Sequence, residues 1–214
     1  PEQLFVQWDP QPIAAASIPQ AHRSVALDPA TGEERAVAVK VQYPGVAEAV
    51  AADLRNANLL GMLLQQGFGG LNPDDMVAEI KERLTEELDY RLEARNQQLF
   101  ADFYRGHPFL HVPEVLPTFS SAHVITSELV DGCTWQQMLQ WSQPEKDRVG
   151  EVLFRFVFRS LYGMHAFNGD PHPGNYLFHR DGRITFLDFG LVKHFSDEEM
   201  ATFIAMVRTA AFEH

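Results

Sequence analysis

The sequence is poor in the features that would assign it to several large classes of protein. It has one cysteine, Cys133, in 214 residues, so no disulfide can form within the chain, and a reducing compartment is the expectation. No run of about 18 apolar residues offers a membrane-spanning helix. The opening Pro1-Glu2-Gln3 has no basic stretch followed by an apolar core, so no secretory leader is read there and a secreted protein is not expected. Basic residues are few, 17 Lys and Arg against 29 Asp and Glu for a net charge of −12. That balance excludes nucleic acid as an expected partner and argues against an anionic membrane surface as the main one. There is no internal repeat and no low-complexity tract. What remains is ordinary for a globular chain, with 45% hydrophobic and 21% charged residues. The first residue is not Met and the last, Glu213-His214, fall inside a helical pattern, so the chain reads as a piece of a longer protein.

The pattern along the chain is strands first, helices later. Residues 3–42 read as strands joined by turns. Asp28-Pro29-Ala30-Thr31-Gly32 is a strong turn between Gln20–Leu27 and Arg35–Gln42, in which Val37, Val39 and Val41 alternate, so a hairpin is predicted. Pro44-Gly45 breaks the chain, residues 46–65 have helical composition, and Asn72-Pro73 opens a long charged helix over about 73–104. Short strands are predicted at 111–117 and 122–128. Val130-Asp131-Gly132 reads as a linker, and helices as filling 134–140 and 144–167. An irregular loop, Asn168 to Asn175, leads to short strands at 176–179 and 183–187. A last helix starts near Ser196, where Glu199 completes a capping box. This order predicts an α+β chain with a sheet-bearing lobe over 1–130 and a mainly helical lobe over 131–214.

The segment 168–190 carries the most chemistry. Asp170 is followed five residues later by Asn175, and thirteen residues after that Asp188 opens Asp-Phe-Gly. Phosphoryl transfer needs positioning and charge neutralisation more than covalent help. Magnesium takes oxygen ligands, for which the Asp188 carboxylate and the Asn175 amide oxygen are suited. Asp170 is then placed to orient the acceptor oxygen or take its proton. The spacing matches the protein-kinase pattern of catalytic Asp, Asn and Asp-Phe-Gly. In Ala36-Val37-Ala38-Val39-Lys40 a lysine ends an alternating strand and shares a face with Ala36 and Ala38. The kinase pattern puts such a lysine on nucleotide phosphates, held by a helix carboxylate. The helix at 73–104 offers Glu79, Glu82, Glu86, Glu87, Asp89 and Glu93, and position alone does not choose among them. Where kinases carry a glycine-rich loop, this chain has Ala14-Ala15-Ala16-Ser17-Ile18, which is stiffer because alanine resists the positive φ that glycine accepts. His22, just after that loop, is a weaker candidate for ligand contact.

The residues Ala14-Ala15-Ala16-Ser17-Ile18, Val37-Ala38-Val39-Lys40-Val41-Gln42, Glu87-Leu88-Asp89-Tyr90, Asp170-Pro171-His172-Pro173-Gly174-Asn175 and Leu187-Asp188-Phe189-Gly190 resemble the AarF/UbiB, or ABC1-type, atypical kinases over about residues 10–193. The resemblance implies a two-lobed protein-kinase-like fold and an atypical kinase or ATPase that binds Mg-ATP or ADP. It also implies a place in ubiquinone or other isoprenoid-lipid metabolism rather than protein phosphorylation. By the family pattern Lys40 contacts phosphates and pairs with Glu93, and Glu87 and Asp89 form an acidic pair near the site. The alanine loop (Ala14, Ala15, Ala16, Ser17) faces nucleotide, Asp170 is the catalytic aspartate, and Asn175 and Asp188 hold Mg2+. A lipid or quinone precursor is a further expected ligand. The expected place is the cytoplasm or the inner face of a membrane, with peripheral attachment through segments outside this chain. The family's Lys-x-Gly-Gln helix, ahead of the alanine loop, is missing from this piece. Asn168 stands where a His usually precedes the catalytic Asp, and Pro19 where Ala is common. Two other readings stand beside this one: a nucleotide-binding pseudokinase or regulatory module, and an aminoglycoside-type small-molecule phosphotransferase.

Overall fold

A computed structural model describes residues 4–16, 18–28, 31–50, 52 and 88–212. The predicted strand–helix order is present in an α+β architecture that divides into two compact units. One comprises Pro1–Arg95 with Val115–Leu129, and the other Asn96–Glu114 with Val130–His214.

In the first unit, strands β1 (Gln7–Ala15), β2 (Pro19–Leu27), β3 (Glu34–Gln42) and β5 (Val124–Glu128) form an antiparallel sheet in the order β1-β2-β3-β5. The predicted hairpin is β2–β3, paired in continuous register from Pro19↔Gln42 to Leu27↔Glu34. Its turn is closed by Gly32 at φ 72°, a conformation that favours glycine, with the Gly32 amide donating to the Asp28 carbonyl. Alternation along β3 decides the faces. Val37 and Val39 are buried with Ala26 and Leu116 in a small core flanked by Phe5, Trp8 and Phe119, while Lys40 has the opposite parity.

Helix α1 (Tyr90–Tyr104) supplies the transition between the units along the chain. The long helix expected over 73–104 therefore begins at Tyr90 within the described residues, since Leu88 and Asp89 are non-helical. Asp89 acts as the cap, its Oδ1 accepting from the Arg91 amide at 3.0 Å. The earlier part of that expectation lies outside the described residues, as does most of the helix at 46–65, of which residues 46–50 and 52 are helical.

In the second unit, β4 (Leu110–His111), β7 (Tyr176–Phe178) and β8 (Ile184–Phe186) form a sheet ordered β4-β8-β7, and β6 (Ala166–Asn168) pairs with β9 (Val192–His194). The helices are α2 (Trp135–Met138), α3 (Gln143–Met164) and α4 (Asp197–Phe212). The strand expected at 111–117 shrinks to Leu110–His111, because Pro113 and Pro117 cannot donate to a ladder; Pro117–Phe119 forms a 3-10 turn instead. The pair β6–β9 brackets residues 169–191 and was not foreseen, each strand being three residues long. Capping boxes start α2, α3 and α4: Thr134 with Gln137, Ser142 with Glu145, and Ser196 with Glu199. Phe100, Tyr104, Phe156, Phe178, Phe186 and Phe189 are buried in one core. In it Phe156 stacks on Phe186 at 3.7 Å between centroids, and the Tyr104 hydroxyl is satisfied by Ser160 at 2.7 Å. Among the described residues no helix is long and apolar enough to cross a membrane.

Candidate active site

In the first unit, Lys40 Nζ donates to both carboxylate oxygens of Glu93, at 2.7 and 2.9 Å. The lysine also lies 5.3 Å from the centroid of the Tyr90 ring, a cation–π contact one helical turn before Glu93. The glutamate side chain is 6% exposed and the lysine 24%. A buried carboxylate must be paired and hydrogen-bonded to remain charged, and the two-pronged contact meets that demand. Of the two acidic candidates within the described residues, Asp89 and Glu93, the structure brings Glu93 to Lys40, as the family pattern implied. Asp89 instead caps the helix start, and Glu79, Glu82, Glu86, Glu87 and Ser17 lie outside the described residues.

Gln42 shares the parity of Lys40 on β3 and is also buried. Its Nε2 donates to the Leu88 carbonyl at 2.7 Å and its Oε1 bonds His123 Nδ1 at 2.9 Å. The strand thus holds the start of α1 twice, through Gln42 and through Lys40. In the sequence, the signal for Gln42 is its parity with Lys40 on the alternating strand. Ala14 and Ala15 end β1, paired with Ala21 and Gln20, and Ala16 follows with its amide donating to the Pro19 carbonyl. All three alanines are exposed. His22 pairs with Val39 and so faces away from Lys40. It is 3% exposed, stacked on Trp8 at 4.7 Å, with Nδ1 on the Asp9 carbonyl.

In the second unit, Asp170, Asn175 and Asp188 are brought together by one hydrogen-bond system. Asn175 Nδ2 donates to Asp170 Oδ2 at 2.7 Å. Asn175 also accepts the Leu187 amide on its backbone carbonyl at 2.9 Å, which places it beside Asp188 at the end of the β7–β8 ladder. Asn168 joins the two loops: its Oδ1 accepts the Asp170 amide at 3.2 Å and its Nδ2 donates to the Asp188 carbonyl at 2.8 Å. An amide suits this place because it offers one donor and one acceptor on a short stem. His172 caps its own loop, accepting the Gly174 amide on Nδ1 at 3.1 Å. Asp188 Oδ1 accepts the Gly190 amide at 3.0 Å. Burial, and secondarily the charge of Asp170, raise the Tyr176 hydroxyl above its ordinary value, so it stays protonated beside that carboxylate.

The donor set is hard. The bond to Asp170 commits the Asn175 amide nitrogen and leaves its Oδ1 as a hard oxygen donor. Among the described residues no group of three or more His, Cys, Asp and Glu gathers. Two oxygen-bearing side chains are too few for an all-protein cage but fit magnesium, which keeps waters and takes substrate phosphates as ligands.

Sequence reading did not single out Asn96. This residue is 5% exposed on α1, donates from Nδ2 to the Phe189 carbonyl at 3.2 Å and accepts from His194 Nε2 at 3.0 Å. The signal was present: Glu93, Asn96, Gln97, Phe100 and Tyr104 recur at helical spacing, so three polar side chains occupy what should be an apolar stripe. Each has a partner, Gln97 Nε2 bonding the Pro113 carbonyl at 2.9 Å.

Comparison with known proteins bears on this geometry. The family model described as the ABC1 atypical kinase-like domain matches residues 1–213. The chain is 35% identical over 218 residues to protein ACTIVITY OF BC1 COMPLEX KINASE 1, chloroplastic, of Arabidopsis thaliana, covering 99% of this chain and 31% of that protein. It is 35% identical over 204 residues to atypical kinase COQ8B, mitochondrial, of Rattus norvegicus, covering 94% and 37%, and 33% identical over 198 residues to atypical kinase COQ8, mitochondrial, of Saccharomyces cerevisiae, covering 91% and 38%. The chain thus spans about a third of the length of these curated relatives. Among solved structures, the Rv3197–erythromycin complex from Mycobacterium tuberculosis superimposes with a TM-score of 0.81 at 34% identity, over 99% of this chain and 54% of that one.

Proposed function

The chain belongs to the ABC1 atypical kinase-like family, and from that premise we propose that it binds a magnesium–nucleotide, ATP or ADP, and serves phosphoryl transfer or ATP hydrolysis. The observation that carries this reading is the pinned set Asp170, Asn175 and Asp188. Three residues separated in sequence share one hydrogen-bond system whose side chains carry carboxylate and amide oxygens.

In this reading an acceptor hydroxyl or water attacks the γ-phosphorus, the bond to the β–γ bridging oxygen breaks, and ADP leaves. Asp170, steadied by Asn175, orients the attacking O–H and receives its proton. Asn175 Oδ1 and Asp188 would hold magnesium, which when bound offsets phosphate charge. Lys40, kept extended by Glu93, is the phosphate-contacting cation of the family pattern. The same pattern assigns the alanine loop to nucleotide and the activity to ubiquinone or other isoprenoid-lipid metabolism; a lipid or quinone precursor is accordingly the proposed second ligand.

The test is a thermal-shift titration with Mg-ATP and Mg-ADP, beside Asp188→Asn. A ligand that binds the folded state raises Tm as its concentration passes Kd. A magnesium-dependent rise in the parent chain that Asp188→Asn loses is the expected result. A folded full-length protein showing no rise would defeat the proposal. Release of phosphate from Mg-ATP, measured with and without a quinone-like phenol, separates a turning-over enzyme from a binding module.

A further inference from the structure

The catalytic reading uses Asp188 but leaves Asn96 without a task. Asparagine is a poor residue for a helix interior, and a buried amide is tolerated only where both ends are bonded. Here both ends are, and one of them is on the Asp-Phe-Gly segment. Asn96 Nδ2 donates to the Phe189 carbonyl at 3.2 Å, and Asn96 Oδ1 accepts from His194 Nε2 at 3.0 Å. Four residues along the same helix, the Phe100 ring packs against the Phe189 ring, 4.8 Å between centroids.

The neighbouring peptide groups are held separately. Asn168 Nδ2 donates to the Asp188 carbonyl at 2.8 Å. The Gly190 amide donates back to Asp188 Oδ1 at 3.0 Å. So the carbonyl of residue 188, the carbonyl of residue 189 and the amide of residue 190 each have their own fixed partner. The Phe189 carbonyl and the Gly190 amide belong to one planar peptide group, so turning that group breaks the Asn96 bond and takes the Gly190 amide away from the Asp188 carboxylate. Two of the three clamps are local to the loop and its neighbour. The third, Asn96, comes from the helix that bears Glu93 three residues earlier.

We propose that Asn96 is a positioning residue for the metal: by holding the Phe189 carbonyl it fixes the direction of the Asp188 carboxylate toward magnesium. The inference rests on the reading of Asp188 as a magnesium ligand. His194 completes the device by engaging Asn96 Oδ1, which keeps the Asn96 amide from turning its oxygen toward Phe189. Residues that orient a metal ligand in this way are characteristically worth about 10- to 100-fold in metal affinity.

The experiment is a titration of magnesium chloride at fixed ADP, followed by calorimetry on the full chain, with ADP alone as a second titration. Three variants are compared: Asn96→Asp, His194→Ala and Asp188→Asn. Asn96→Asp is isosteric and keeps an acceptor for His194 but removes the donor to Phe189. It should raise the half-saturating magnesium concentration about tenfold while the affinity for ADP without magnesium stays the same. His194→Ala, at an exposed position that tolerates truncation, should raise it by roughly threefold in the same direction and serves if Asn96→Asp does not fold. Loss of Tm with unchanged half-saturation would assign Asn96 a purely structural role and overturn the inference. If Asp188→Asn abolishes the magnesium dependence but neither other variant shifts it, the inference fails and the metal site stands. If Asp188→Asn leaves the dependence intact, both fall together.

Discussion

Lys40 and Glu93, 53 residues apart in sequence, meet with Nζ at 2.7 Å from one carboxylate oxygen and 2.9 Å from the other. The glutamate is nearly buried, which makes the pair asymmetric in its energetics. Removing one partner strands a charge, whereas replacing both by apolar groups need not destabilise. Lys40→Met should therefore lower the unfolding free energy by about 3 kcal/mol, and Lys40→Met with Glu93→Leu should recover most of it. Urea denaturation with an unchanged m-value checks this. A single-variant cost near zero would mean that Glu93 is solvated in solution.

Asn168 is the tie between the loop of Asp170 and that of Asp188, and its two bonds need one donor and one acceptor. Asn168→Ala removes both and should lower turnover of Mg-ATP by about tenfold or more. Neutral histidine also offers one donor and one acceptor, so Asn168→His should retain more activity than Asn168→Ala. Equal losses in the two variants would show that the tie does not act through these hydrogen bonds.

Asp170 is assigned the proton, not the nucleotide. Asp170→Asn should then reduce kcat by about 10²- to 10⁴-fold while Kd for Mg-ADP is unchanged within error. Single-turnover kinetics and calorimetry read the two quantities separately. A comparable loss in nucleotide affinity would move Asp170 into the binding set and contradict the role given to it.

Stability should fall as pH drops from 7.5 to 5.5. Burial lowers His107 and His179 below the ordinary histidine value of 6.5, helped by Arg159 and Arg155 at the first and by Arg183 at the second. His107 Nδ1 also accepts the Phe109 and Leu110 amides, at 3.2 and 3.1 Å, and a proton there would displace both. Each ring is thus harder to protonate folded than unfolded. Below about pH 6.5 the unfolded chain takes up more protons, so a contribution present above that value is lost as pH falls through it. The carboxylates held low by hydrogen bonds and ion pairs, Glu145, Asp181 and Glu199, have ordinary values of 4.5, 3.8 and 4.5, and lose their contribution in a more acid window. Tm measured at pH 7.5, 6.5 and 5.5 should decline, and His107→Gln with His179→Gln should flatten the slope. A flat profile in the parent chain would refute the assignment.

Much of the local structure was legible because its causes are local. The β2–β3 hairpin follows from a turn sequence and a period of two, and the starts of α3 and α4 from Ser142–Glu145 and Ser196–Glu199 placed three residues apart. The grouping of Asp170, Asn175 and Asp188 was legible in their spacing because a short hairpin returns the chain between the last two. Short elements were not legible. The three-residue strands β6 and β9 have too few positions to show a period, and each exists because the other lies beside it. The non-helical conformation of Leu88 and Asp89 was not legible because these residues have helical composition. The chain is turned there by a cap and by the grip of Gln42 on the Leu88 carbonyl, 46 residues away.

The sequence by itself determined the α+β order, the hairpin, the capping boxes and the residue types that could serve a magnesium–nucleotide, since each depends on neighbours a few positions apart. The Lys40–Glu93 pair, implied by the family resemblance, is present in the structure. Only the tertiary structure decided that His22 faces away from that lysine, and that a buried amide on α1 grips the Asp-Phe-Gly segment. Asn96 meets Phe189 across 93 residues and His194 across 98. Composition and spacing carry no information about a bond of that range; it is fixed by helix phase and by the demand that a buried amide be satisfied at both ends.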